Sequence, residues 1–212
     1  VTDGRDVLAS RFAGITAERA PVVLVDGPSG AGKTTFAASM AAGWPGRPAP
    51  VLVRMDDIYP GWHGLDAASA HVVERLLLPR SRGEASGWRR FDWSSGRSAE
   101  WRDVAVDSPL ILEGCGALSR RAARLADLRI WIDADETVRK TRALARDGGA
   151  FDGHWDMWAE QVDAFTARED PMAHADAVLR NDAGEAQVWL RAFLRSVALE
   201  VGEERAEHGD GV

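Results

Sequence analysis

The segment Gly27-Pro28-Ser29-Gly30-Ala31-Gly32-Lys33-Thr34-Thr35 follows directly on the apolar run Val22–Val25. Its residue types suit the holding of phosphate. Glycines let backbone N–H groups converge on phosphate oxygens with no Cβ in the way. A helix that starts at the end of the loop adds the positive end of its dipole. Lys33 is a compact charge that can follow the outer phosphates of a nucleotide, and the Thr34 hydroxyl is a hard oxygen ligand suited to Mg²⁺. The spacing Gly-x-x-x-x-Gly-Lys-Thr is the phosphate-loop pattern. The chain holds two lysines, Lys33 and Lys140, against 24 arginines. A planar guanidinium fork fits a cradle of backbone donors poorly, which accounts for a lysine here. Gly27, Ser29, Gly30, Ala31, Gly32, Lys33, Thr34 and Thr35 are the expected nucleotide contacts.

Chemistry on that phosphate needs carboxylates and further cations. Met55-Asp56-Asp57-Ile58-Tyr59 closes the second apolar run, so Asp56 or Asp57 can accept a proton from an acceptor hydroxyl. Tyr59, the single tyrosine, is either a ring packed under this loop or a substrate contact. Leu110-Ile111-Leu112-Glu113-Gly114 offers Glu113 at a strand end, placed to orient water bound to Mg²⁺. Arg139, Arg142 and Arg146 share one face of a charged helix. Asp135 with Arg139 and Glu136 with Lys140 are i,i+4 pairs, which leaves Arg142 and Arg146 to offset charge on a transferring phosphoryl group. Arg89 and Arg90 are candidates for an acceptor phosphate. No His/Cys grouping has zinc spacing, so Mg²⁺ arriving with a nucleotide is the metal expected.

These residues must be carried by a scaffold. Continuous apolar runs at Val22–Val25, Val51–Met55, Leu110–Glu113, Leu128–Ile132 and Ala177–Leu179 suit strands buried on both faces of a parallel sheet. Helical spacing or composition predicts helices over 3–18, 36–44, 65–78 (stopped by Pro79), 135–146, 153–168 and 185–201. The alternation implies an α/β fold with a five-stranded parallel sheet and helices on both faces. Residues 80–108, rich in Gly, Ser, Arg and Trp, read as an irregular excursion outside that sheet, with room for a short hairpin. Residues 1–201 are expected to form one domain and 202–212 a disordered tail.

At 212 residues and a formal net charge of −7, the bulk field repels nucleic acid. One cysteine, Cys115, excludes an internal disulfide and fits a reducing compartment. Apolar runs are too short for a membrane span and the N-terminal residues lack a signal-peptide core, so a cytoplasmic protein without membrane or nucleic-acid partners is expected. Self-association is left open. An Asn-Lys-x-Asp guanine-reading motif is absent, since the one asparagine, Asn181, precedes Asp182.

The ordered landmarks resemble the uridine-kinase-like branch of phosphate-loop nucleoside and metabolite kinases. GPSGAGKTT resembles its phosphate loop, MDDIY its strand-end Asp-x-Phe-Tyr, LILEG its strand ending in Glu-Gly, and RKTRALARD its lid. AHADAVLRND resembles its late Ala-Asp strand. The resemblance implies a phosphate-loop kinase fold and Mg²⁺·ATP-dependent transfer of the γ-phosphoryl group to a small acceptor, a uridine- or cytidine-like nucleoside or a related metabolite. Lys33 and Thr34 would hold phosphate and metal, Asp56 would be the base, and Arg142 and Arg146 would close as part of a lid over 139–170. Departures are Ile58 for the family's Phe, Ala143 for the second arginine of the lid pair, and Arg90-Phe91-Asp92-Trp93 for the family's Phe-Asp-His-Pro. Asp92 and Arg90 are nonetheless expected to face the acceptor. Trp62, Trp88, Trp93 and Trp101 bracket that region, either as a stacking surface or, as favoured here, as the core of a small insertion. Other acceptors (a nucleoside monophosphate, a sugar acid, a pantothenate-like precursor) and a nucleotide-hydrolysing switch are the rival readings.

Overall fold

A computed structural model describes residues 4–46, 48–146 and 153–209. Five parallel strands make the main sheet: β1 (Val22–Asp26), β2 (Val51–Arg54), β5 (Leu110–Glu113), β6 (Leu128–Asp133) and β7 (Ala177–Arg180). Their order is β2-β5-β1-β6-β7. Every residue of β1 is buried, because the strand is central and packed on both faces, which its unbroken apolar run requires. The chain leaves β1 for one side of the sheet first and returns later to the other. The carboxyl end of β1 is therefore the switch point at which an open α/β sheet forms a crevice.

The helices supply one core on each face. Phe12 of α1 (Gly4–Glu18), Phe36 and Met40 of α2 (Lys33–Ala42) and Phe193 of α9 (Glu185–Gly209) pack on Val23, Val25 and Ile130. On the opposite face, Leu65 and Val72 of α3 (Leu65–Val72) and Trp158 and Phe165 of α7 (Trp155–Glu169) pack with Leu24, Leu110 and Leu112. Short helices α5 (Arg120–Ala123) and α8 (Pro171–His174) and the charged α6 (Glu136–Arg146) complete the set.

Several boundaries differ from the sequence expectation. Helix α2 begins at Lys33, inside the loop itself. The helix expected to stop at Pro79 continues, through a π-helical stretch Val73–Leu77, into α4 (Leu78–Ser81). Pro79 falls directly after that π-helical stretch, at the start of the last segment. Residues 86–104 are not irregular. They form an antiparallel hairpin, β3 (Ser86–Asp92) and β4 (Arg97–Val104), separate from the main sheet and bulged between Arg89 and Phe91. Trp88 and Val104 anchor its base in the core, whereas Trp93 and Trp101 are exposed at 42% and 39%. The tryptophans thus divide between core and surface. Helix α9 runs to Gly209, past the end expected near Val201, as the strong helix formers of GluGluArgAlaGlu favour. Of the tail expected to be disordered, 210–212 lie outside the described residues. Among the described residues no helix is long and apolar enough to cross a membrane.

The turn from β1 into the loop tolerates only glycine. Gly27 has φ 145°, and a Cβ there would strike the Ile132 carbonyl of β6. Gly27→Ala is therefore expected to destabilise the fold by about 3 kcal/mol or more. Urea unfolding monitored by circular dichroism measures this, and a loss within experimental error of zero would contradict the packing described.

Candidate active site

The glycine-rich loop is held from three sides. Gly30 and Gly32 have φ 78° and 100°. A Cβ on Gly30 would run into the Arg139 backbone of α6, and one on Gly32 into the Asn181 amide. Asn181 Nδ2 donates to the Ala31 carbonyl at 2.7 Å, and Trp158 Nε1 of α7 donates to Ser29 Oγ at 3.0 Å. The glycines are thus required by the neighbouring protein as well as by any phosphate.

Lys33 is buried beside this loop. Its Nζ donates to the Pro28 carbonyl at 2.9 Å and to Cys115 Sγ at 3.5 Å. Burial disfavours its charge, but Cys115, Glu113, Asp26 and Asp56 together outweigh that and hold its pKa above the ordinary lysine value. Glu113, 2% exposed, lies within reach of the Thr34 hydroxyl and 4.0 Å from Arg54. Burial pushes its carboxyl up, with Lys33 and Thr34 pulling the other way and Asp56 adding to the rise. Thr34 and Glu113, the two residues expected at the metal, thus lie near each other. A hydroxyl and a carboxylate side by side at the end of a positively charged cradle are the hard oxygen donors Mg²⁺ takes, so these residues fit that ion.

Sequence reasoning passed over Asp26. Its carboxylate is buried at the end of β1 and accepts backbone N–H bonds from Gly27 (2.6 Å), Gly116 (3.1 Å) and Leu118 (2.7 Å). Burial raises its pKa from 3.8 to about 6 against those donors and Lys33. Kept ionised at neutral pH, it costs the fold on the order of 3 kcal/mol, a cost that sets in as pH rises from about 4 to about 6. The available signal was a carboxylate ending an otherwise apolar, buried run.

On the acceptor side, Asp56 and Asp57 lie in a 3₁₀ turn, Met55–Asp57, directly after β2. The two separate in space. Asp56 is exposed and its charge bears on Lys33, Glu113, Cys115 and Tyr59. Asp57 bears instead on Arg90 of the hairpin. Of the two alternatives for Tyr59, the structure shows the ring packed under the loop. The residue is 2% exposed, its ring meets Trp158 at 4.7 Å, and its hydroxyl donates to the Cys115 carbonyl at 2.7 Å. Burial also pushes its hydroxyl pKa well up.

Asp92 and Arg90 are likewise engaged within the hairpin. Asp92 accepts from the Ser94 backbone and the Ser94 and Ser95 hydroxyls, which closes the β3–β4 turn and lowers its pKa. Arg90 pairs with Glu100 across the strands at 2.8 Å. The two residues expected to face the acceptor are thus held in a turn and a cross-strand pair, which the local sequence favours. What the hairpin does bring to Asp56 is Trp93, whose Nε1 donates to the Asp56 carbonyl at 2.8 Å. Trp93 meets Trp62 at 5.2 Å, and Trp62 stacks on His154 at 4.3 Å.

The arginine face of α6 is partly spoken for. Arg139 donates to the Ala134 carbonyl and pairs with Asp133, and Lys140 pairs with Asp156, so neither expected i,i+4 partner is used. Arg142 donates to the Asn181 and Asp182 carbonyls, both at 2.7 Å. That turn is the one bonded to Ala31, so Arg142 stands beside the loop with its outer nitrogens on protein carbonyls. The side chain of Arg146 lies outside the described residues.

No protein-family model matches the chain. Uridine kinase of Saccharomyces cerevisiae is 26% identical over 182 residues, a match covering 74% of this chain and 36% of the yeast enzyme. The chain thus spans about a third of that relative. A structure from Bacillus stearothermophilus described as a possible uridine kinase superposes with a TM-score of 0.59 at 18% identity, covering 84% of this chain and 97% of that one. A presumed fructose transport system kinase from Silicibacter sp. TM1040 gives 0.50 at 14% identity, covering 84% and 99%. The fold is that of the phosphate-loop kinases, and the resemblance to uridine-kinase-like proteins drawn from the ordered motifs is borne out.

Proposed function

We propose that this chain is an ATP-dependent kinase that moves the γ-phosphoryl group to a hydroxyl of a small acceptor, a uridine- or cytidine-like nucleoside or a related metabolite. The observation that carries the reading is convergence on one centre. Lys33, Thr34, Glu113 and Asp56 come from three separate segments, and the charges of Glu113 and Asp56 both bear on Lys33. A nucleotide-binding loop alone has no need of Asp56. The similarity to yeast uridine kinase supports the same reading.

In this mechanism the loop amides and Lys33 hold the outer phosphates of the donor nucleotide and take up the charge that builds during transfer. Thr34 and Glu113 would hold Mg²⁺, Glu113 by way of water, and the ion would supply further charge neutralisation. Asp56 accepts the proton of the acceptor hydroxyl as that oxygen attacks phosphorus. The Trp62–Trp93 wall beside Asp56 orients the acceptor. Arg142 contributes charge at the nucleotide, with Arg146 as a second lid cation. A free, buried Cys115 is in keeping with work in a reducing, cytoplasmic setting.

Incubation with Mg²⁺·ATP and a panel of nucleosides, nucleoside monophosphates, sugar acids and pantothenate-like precursors tests the proposal. Mass spectrometry is expected to find phosphate gained by one class, with nucleosides first in order. If ATP is consumed while no acceptor gains phosphate, a nucleotide-hydrolysing switch replaces the kinase reading.

A further inference from the structure

We infer that Asp26 is a positioning residue whose carboxylate locks the nucleotide loop to the Gly114–Leu118 turn, and so sets donor and acceptor sides at a fixed separation. The inference rests on the proposed nucleotide site, not on which acceptor is used. Its basis is geometric. One carboxylate collects N–H groups from the first residue of the loop, Gly27, and from two residues of the turn after β5, Gly116 and Leu118. The same turn offers the Cys115 carbonyl to Tyr59 Oη and the Cys115 sulfur to Lys33 Nζ. Tyr59 follows the turn that bears Asp56. A continuous chain of bonds therefore runs from the loop through Asp26 and Cys115 to the segment of the presumed base.

Acceptors alone are wanted at Asp26, since all three of its partners donate. An ionised carboxylate meets that need, while an acid or an amide carries a hydrogen into a ring of donors. The fold retains the charge although burial opposes it, which fits a residue kept for what it holds in place. The charged or titratable groups that face it are Lys33 on α2, Cys115 on the turn and Tyr59 beyond it. Cys115 and Tyr59 are both pushed up by burial and stay neutral across the range tested. Of these groups Asp26 is the one that changes charge between about pH 5 and about pH 7.5, and Glu113, also pushed up by burial, is common to both forms compared.

Calorimetric binding of Mg²⁺·ATP to the full chain and to Asp26→Asn tests this at both pH values. Near pH 7.5 the variant is expected to bind about tenfold more weakly, the scale of one charge-assisted hydrogen bond lost. Near pH 5, where the wild-type carboxylate is itself protonated, the gap is expected to close to about twofold or less. A gap that is absent, or the same at both pH values, overturns the inference, because a merely structural defect would not track this titration. Should Asp26→Asn fail to fold, or should Mg²⁺·ATP not bind even to the wild type, hydrogen exchange of the wild-type chain decides. For an opening that frees the Leu118 amide while Asp26 stays buried, protection of that amide, corrected for intrinsic rate, should drop severalfold relative to Leu24 on passing from the higher pH to the lower. Unchanged relative protection overturns the lock. Failure of every acceptor to gain phosphate would remove the kinase reading and leave this result standing.

Discussion

Lys33→Ala is expected to lower phosphoryl transfer roughly a thousandfold or more and to weaken Mg²⁺·ATP binding with it. The reason is the company the ammonium keeps. It is buried between the Pro28 carbonyl and the Cys115 sulfur, within reach of the charges of Glu113, Asp26 and Asp56. Removing it deletes the cation that meets the phosphates and leaves those carboxylates facing incoming negative charge with no counter-ion at the centre. Lys33→Arg should rescue little, since a planar fork does not fit a niche shaped for a compact ammonium. Calorimetry and a transfer assay on the same preparations check both points. Wild-type affinity and turnover in Lys33→Ala would take the loop out of the mechanism.

Asp56→Asn is expected to reduce turnover by about 10²–10⁴-fold while ATP affinity stays within about threefold. An amide keeps the shape and cannot accept the acceptor's proton. Asp57→Asn serves as the internal control, because Asp57 faces Arg90 of the hairpin and not the Lys33 centre. Its turnover should fall far less. If the two variants exchange behaviour, the assignment of the base is wrong even though the reaction class stands.

What could be read in advance follows from how each residue declares itself. Val22–Val25 and Leu110–Leu112 are unbroken apolar runs ending in loop residues, so the sheet and the placement of Lys33, Thr34 and Glu113 were legible. The hairpin was legible only as room for a short one within an irregular excursion. Its alternation is interrupted by the bulge between Arg89 and Phe91, and most of β4 faces solvent. Asp92 and Arg90 looked like acceptor contacts because a motif position shows residue type and not occupancy, and their polar atoms are used by Ser94, Ser95 and Glu100. Helical periodicity put Arg142 on the correct helix but could not show that the Asn181–Asp182 turn lies against it. Asp26 and Tyr59 were opaque for a related reason. Their importance comes from a turn almost ninety residues away in one case, and only the fold brings it near.

The separation of the β3–β4 hairpin from the parallel sheet bears on how such proteins diversify. The sheet order contains no strand of the hairpin, and the arm is fixed at its base by Trp88 and Val104 and near its tip by the Trp93–Asp56 bond. Insertions, deletions and exchanges between those anchors leave the strand ladders of the nucleotide half untouched. On the proposed reading, changes confined to the hairpin would therefore alter the acceptor side while leaving the way of holding the donor unchanged.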